Sequence, residues 1–282
     1  MTKKQKILRS AMVVALLVGA YTLYDYFFFI DTDNAQIQAN TVILTSRVSG
    51  FVTKVNVSEG QHVKQGDVLL EIDSKDYQSR TQQSENELGS LSARLHDAEL
   101  SYKRVQKLFE EGAVSLQQKD SSFAVYQELS KKQKALENLV DLSKSGLADT
   151  QIRAPSEGFI ARKTAETGML ANPGTPLLAF VSSETRWVIA NFKETDLARL
   201  KVGQPVKVSV DAVSGKTFKG EIENFYPATG AIFALLPPDN ATGNFTKVVQ
   251  RVPTRIKLLD LSHEDIELLR AGLSVIATVR VR

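Results

Sequence analysis

One short pattern is written twice in this chain, 108 residues apart. The first copy reads SGFVTKVNVSEGQHVKQGDVLLEI from Ser49 to Ile72, and the second EGFIARKTAETGMLANPGTPLLAF from Glu157 to Phe180. Gly50 aligns with Gly158, Gly60 with Gly168, and Gly66 with Gly174, with no slippage between them. Apolar and polar residues alternate over short runs, the period of half-buried strands. In the first copy Phe51, Val55 and Val57 fall on odd positions, and Val63 and Leu69 continue the set beyond the turns. Gly60 and Gly66 interrupt the runs, where a positive φ is most easily adopted. One copy has too little chain to bury both faces of its sheet. The expectation is that the two copies pack together as a flattened barrel or sandwich.

The spacing resembles the half-motif of biotinyl/lipoyl carrier domains. In that family the halves are joined by a tight hairpin that displays a modified lysine. Lys75 occupies the nearest place here, but the second half resumes only near Ile152. Lys75 is therefore read as a solvated residue in the first turn of a helix. No cofactor is expected, and the carrier remains the alternative from another class.

The intervening segment, 74–151, has no proline and little glycine. Tyr77, Thr81, Ser84, Leu88, Leu91, Leu95, Ala98, Tyr102, Val105 and Phe109 alternate steps of four and three, a heptad seam. Gly112 is a stop signal, and Ser115 with Gln118 predicts a capped start for a second helix running to about Gly146. Val125, Leu129, Leu136, Leu139 and Ser143 form its rougher seam. The pair predicts an antiparallel hairpin of roughly 50 Å at about 1.5 Å per residue. Arg104 and Leu108, four apart and off the seam, share a face next to the turn that Ser115 closes.

The pattern RVQKLFEEGAVS, Arg-x3-Leu-x6-Ser, resembles the tip motif of periplasmic adaptors, the membrane fusion proteins of the HlyD type. The resemblance implies that Arg104, Leu108 and Ser115 engage a TolC-like outer-membrane channel. For Ser115 the plain alternative is N-capping alone, and for Arg104 a solvated charge.

Lys3, Lys4, Lys6 and Arg9 precede an uncharged run, Ser10 to Tyr24, that Asp25 interrupts and that aromatic residues extend to Ile30. Residues 1–30 are read as a cytoplasmic basic tail and a transmembrane anchor, with Asp25 at the outer interface. A cleaved signal peptide is the rival reading. The chain has no cysteine, which excludes a lipoprotein anchor, and its net charge of +3 gives no case for nucleic-acid binding.

From Ser183 strand signals return. Trp187 to Phe192 alternates, Val206, Val208 and Val210 share a face, and 218–225, 248–258 and 273–281 are further candidates. Residues 183–282 predict a small antiparallel barrel, to which 31–45 adds a strand. The loop from Thr229 to Phe245 carries Ile232, Phe233, Leu235 and Leu236 before two prolines, too apolar for an ordinary solvated loop. With NFKETDLARLKVGQPV before it and VVQRVPTRI after it, the chain resembles the EmrA-like branch of the adaptors, apart from a shorter hairpin. Those four residues are read as contacts to a transporter or to a neighbouring subunit, or as a cover over an open barrel end.

Nothing points to an enzyme. His62, His96 and His263 are well separated in sequence without metal-ligand spacing, and the glycines form no phosphate-binding loop. The sequence reading is a mixed multidomain α+β chain. It has a transmembrane helix, a split lipoyl-like β-domain (46–73 and 152–182), an inserted α-helical hairpin and a C-terminal β-barrel. The resemblance implies a single-pass inner-membrane protein of a Gram-negative bacterium, largely periplasmic and trimeric or hexameric. It would join a transporter of the major-facilitator type to the channel for export of drugs or other small toxic compounds. An adaptor for an ABC-type or aromatic-acid exporter is the runner-up.

Overall fold

The computed structural model describes Met12, Leu16 and residues 27–213, 215–229 and 248–281. They fall into two compact units, Thr41–Val181 and a second made of residues up to Asn40 together with Ser182–Arg282. The expected anchor lies almost wholly outside the described residues, but its boundary at residue 30 is too late: Phe29 and Ile30 pair with Arg280 and Val279, and Ile30 is buried in a core of strand residues. Among those described, no helix is long and apolar enough to cross a membrane.

In the unit Thr41–Val181 the two sequence copies interlock. Strands β2 (Gly50–Val55), β4 (Val68–Ile72), β5 (Gln151–Arg153) and β7 (Leu170–Ala171) form a sheet in the order β5-β4-β2-β7. Strand β3 (His62–Val63) pairs antiparallel with β6 (Gly158–Lys163). Each copy thus lends a strand to the other.

The hydrogen bonds repeat with the sequence offset. Gly60 N–H donates to Ile160 O at 2.7 Å, and Gly168 N–H to Val52 O at 2.8 Å. Ile160 N–H donates to Gln61 O at 3.0 Å, and Val52 N–H to Met169 O at 2.9 Å. Gly66 N–H donates to Ala154 O and Gly174 N–H to Ser46 O, both at 2.9 Å. Every donor and acceptor in one bond maps onto its counterpart by adding or subtracting 108. The last pair carries the duplication three residues upstream of the visible repeat, to Ser46 and Ala154.

The core of this unit obeys the same rule. Val52 and Ile160, Val63 and Ala171, Leu69 and Leu177, Leu70 and Leu178, and Ile72 and Phe180 are all buried. Burying an aliphatic side chain of this size stabilises by about 1.5–3 kcal/mol. The strand register differs from the sequence expectation at one place. Phe51 is 58% exposed and Val52 points inward, because the chain shifts register between Val52 and Lys54 against β4. Val57, Val63 and Leu69 are buried, as the alternation requires.

Helices α1 (Lys75–Glu110) and α2 (Leu116–Ala148) are joined by residues 111–115. Their contacts run in opposite order along the two helices. Gly146 lies against Tyr77, Ser84 hydrogen bonds Ser143, Gln133 bonds Ser92, Tyr102 stacks on Tyr126, and Lys119 lies over Phe109. The heptad seam of α1 is its buried or half-buried face throughout. On α2 the seam is displaced: Val125 and Leu139 are exposed, while Tyr126 and Val140 face α1. A seam at 119, 122, 126, 129, 133, 136, 140 and 143 keeps the four-three steps, and its polar members Ser122, Gln133 and Ser143 hid it from an apolar count. The Ser84 and Ser143 oxygens stand 3.2 Å apart across the helices, and each also has a carbonyl of its own helix in reach, so one hydroxyl can donate across while the other donates to its own helix and accepts, and both are satisfied.

In the other unit, β1 (Phe29–Thr45), β8 (Pro176–Lys193), β9 (Pro205–Val210), β10 (Thr217–Phe225), β11 (Arg251–Leu258) and β12 (Ser274–Arg280) follow the order β1-β12-β9-β10-β11-β8. A further β1–β8 pairing closes this antiparallel ring into a barrel. Closure removes exposed edges. Val188, Ala190, Phe192, Val206, Val208, Val210, Ile256, Val275, Ala277 and Val279 fill it. Between β8 and β9 the chain makes a single 3-10 turn, Leu197–Arg199. A helix the sequence reading missed, α3 (His263–Leu268), starts at a reciprocal capping box between Ser262 and Asp265.

Candidate functional site

The α1–α2 turn gathers the three residues singled out by the tip motif. Helix α1 ends as its sequence directs. Gly112 adopts φ +76°. Its N–H donates to Phe109 O at 3.0 Å, and Ala113 N–H donates to Leu108 O at 2.8 Å. These are the two bonds of a Schellman motif, which satisfy carbonyls that a helix end otherwise leaves open. Ser115 then starts α2 from an extended conformation, its Oγ accepting from Gln118 N–H at 3.3 Å.

The backbone of the turn is thereby satisfied, and its side chains are left to solvent. Leu108 is 41% exposed although its carbonyl is held in the Schellman motif. Arg104, one turn earlier on the same face, is exposed and makes no ion pair among the described residues. Below them the seam is stiff. Tyr102 and Tyr126 rings stack with centroids 5.9 Å apart and planes 6° from parallel, and Phe123 packs on Tyr102 at 5.2 Å. Lys103 beside Glu99 holds that carboxyl below its ordinary pKa through a 2.7 Å hydrogen-bonded ion pair. Leu116, the first residue of α2, is 57% exposed and was not singled out from sequence. Its position directly after the N-cap, where an apolar side chain has no helix beneath it, was the available signal.

The six glycines separate into two kinds. Gly60, Gly66, Gly168 and Gly174 are turn residues with φ between +78° and +88°. Gly50 and Gly158 are not: they begin β2 and β6. A Cβ at Gly158 would stand 2.3 Å from Val181 O and 2.6 Å from the Phe180 ring, and one at Gly50 would stand 2.6 Å from Ile72. Close packing explains those two glycines. Lys75 is exposed in the first turn of α1. Ile232, Phe233, Leu235 and Leu236 lie outside the described residues.

Comparison with known proteins agrees with this architecture. The family profile described as RND MFP, barrel-sandwich hybrid domain, matches residues 40–183, and that of the CusB-like β-barrel domain matches residues 185–232. The chain belongs to the membrane fusion protein family. Within it the chain is EmrA-like. It is 32% identical to the colistin resistance protein EmrA of Acinetobacter baumannii, over 97% of this chain and 93% of that protein. It is 31% identical to the multidrug export protein EmrA of Haemophilus influenzae, over 99% of this chain and 85% of that one. Among solved structures, the fold is similar to the periplasmic adaptor protein EmrA (TM-score 0.50, 19% identity, 89% of this chain and 98% of that one). It is also similar to the membrane fusion protein Spr0693 of Streptococcus pneumoniae R6 (TM-score 0.64, 16% identity, 90% and 99% covered).

Proposed function

We propose that this protein is the periplasmic adaptor of a tripartite efflux pump for drugs or other small toxic compounds. It links an inner-membrane transporter to a TolC-like outer-membrane channel and has no catalytic role of its own. The segment that precedes β1 anchors it as a single span with the amino terminus in the cytoplasm. The barrel-sandwich unit serves as the base of the α1–α2 hairpin, and copies assemble as a trimer or hexamer. The transporter is of the major-facilitator type, as the resemblance to the EmrA-like branch implies.

The observation that carries the reading is Leu108. An apolar side chain is held in the open beside a Schellman turn, next to a guanidinium with no ion pair among the described residues. The turn ends a helical pair about 54 Å long, from the 36 residues of α1 at about 1.5 Å each. Such an end offers an apolar contact and a charged hydrogen-bond donor, both suited to a protein partner with complementary acceptors.

The test is site-specific cross-linking from the turn to a TolC-like channel, with export measured in parallel. Arg104→Asp and Leu108→Asp are combined with Ser115→Asn, which keeps a capping side chain. The combination should abolish cross-linking and resistance while helix content stays unchanged. If both survive, the docking assignment is wrong. Intact mass separates this reading from the carrier alternative, which requires a biotinyl or lipoyl adduct on Lys75.

A further inference from the structure

The two flanks of the hairpin are unlike. On one flank the positions Arg80, Arg94, Ser101 and Leu108 stand at multiples of seven, with Arg104 beside them. Every arginine of α1 is on this flank, with Glu87 at the remaining position of the series and Asp97 between them. Between α1 and α2 it holds an open groove of about 600 Å³, lined by Ala93, Arg94, Asp97, Ala98, Ser101, Ser122, Val125 and Leu129. Half of those side chains are alanine or serine, and Val125 is 48% exposed. Leu139 and Leu142, at 41% and 69% exposure, continue the apolar character along α2.

The opposite flank carries Glu85, paired to Lys144 at 2.9 Å, Glu99 and Glu110. It also carries Phe123, 42% exposed and leaning on Tyr102, and Leu116. The glutamates follow the arginines at a near-constant offset: Arg80 and Glu85, Arg94 and Glu99, Arg104 and Glu110. Five or six residues correspond to about 8 Å along a helix. Phe123 stands at the level of Ser101 and Val125, because it touches Tyr102. A groove of small residues and a projecting ring therefore lie at one height on opposite sides of the same arm.

We propose that these flanks are the two halves of one heterologous interface, in which Phe123 of each copy seats in the 93–129 groove of the next. The inference rests on the reading that copies of the chain assemble side by side, and it names the surfaces that meet. A rotation about an axis parallel to the hairpins preserves height, so it brings the ring of one copy to the groove of its neighbour. The same rotation leaves Arg94 and Glu99 of the next copy about 8 Å apart in height, an offset that two long side chains span. A contact between unlike faces that closes by rotation gives a ring, whereas a contact between like faces stops at a dimer.

The absence of native cysteine makes the test direct. Phe123→Cys and Val125→Cys are introduced singly and together into the full chain in detergent. Positions two apart on a helix point to opposite sides and do not bridge within one copy. On oxidation the double variant should give a covalent ladder beyond the dimer, and each single variant only monomer. Adding Arg94→Glu should cut the ladder at least tenfold, and adding Glu99→Arg to that variant should restore it. Strong dimers from either single variant would overturn the proposal, since that result means like faces meet. Oligomers by sedimentation without a ladder would reject these flanks while leaving assembly intact. A monomer at all concentrations would reject both.

Discussion

Replacing Gly158 with alanine tests whether the repeated glycines do one job or two. The added Cβ would lie 2.3 Å from Val181 O, 2.6 Å from Phe180 Cζ and 2.9 Å from its Cε2. Phe180 is fully buried in the core that both copies build, so its ring has nowhere to swing. Val181 belongs to β8, whose backbone position is fixed by its neighbours. Overpacking a filled core costs about 1–3 kcal/mol when side chains alone must shift. Because a carbonyl must move here too, we expect the upper end, about 3 kcal/mol or more. At Gly50 the first obstacle is only the Ile72 Cγ2 methyl at 2.6 Å, and about 1–2 kcal/mol is expected. Gly60→Ala meets no atom within 4 Å but places a side chain at φ +78°, at a cost of about 1–2 kcal/mol. The assay is native-state hydrogen exchange at the Gly60 and Ile160 amides, which hold the two copies together. Fluorescence of Trp187 is the wrong probe, because it sits in the barrel unit. If Gly158→Ala is as stable as wild type within about 0.5 kcal/mol, or less harmful than Gly60→Ala, the close-packing argument fails.

Ser115→Ala should cost about 1 kcal/mol of α2 stability by removing the acceptor for Gln118 N–H, read as about fivefold faster exchange of that amide, while Ser115→Asn should restore it. Asp265 supplies a pH-dependent term in the barrel unit: the ion pair from Lys216 and hydrogen bonds from Ser262 lower its pKa. A depressed carboxyl pKa stabilises the folded state above the unfolded value of about 3.9, and that contribution disappears as pH falls through the folded value. Thermal unfolding between pH 6 and 2 should therefore show Asp265→Asn less stable than wild type at pH 6, with the gap closing below pH 4. An undiminished gap at pH 2 would mean that Asp265 acts only through shape.

The parts of the fold that repeat or alternate were legible in the sequence. The 108-residue offset foretold which strands share a core, because an intertwined pair of copies must bury equivalent positions. The α1 seam was legible because its apolar residues keep heptad spacing without a break from Leu88 to Phe109. The α2 seam was not, since serine and glutamine occupy contact positions that hydrogen bonding satisfies. Phe51 was placed inward because alternation carries no notice of a register shift. The α3 helix escaped because six residues give too short a stretch for any period, although Ser262 with Asp265 held the capping signal. At the tip, spacing alone put Arg104 and Leu108 on one face, but the openness of Leu108 and Leu116 depends on how tightly the turn closes.

The hydrogen bond from Ile72 N–H to Thr150 O, 2.8 Å long, joins residues that flank the start of α1 and the end of α2. Glu71 and Gln151 pair beside it in the β4–β5 ladder. The arm is thus mounted like a blade in a handle, gripped at both tangs by the same ladder. A blade of another length fits the same handle, provided that equal numbers of whole heptads are added to or removed from both helices. The seam then stays in phase, and the Schellman turn and the Ser115 cap travel with the point. Reach becomes a quantity that selection can adjust in steps of about 10 Å per heptad without touching the base.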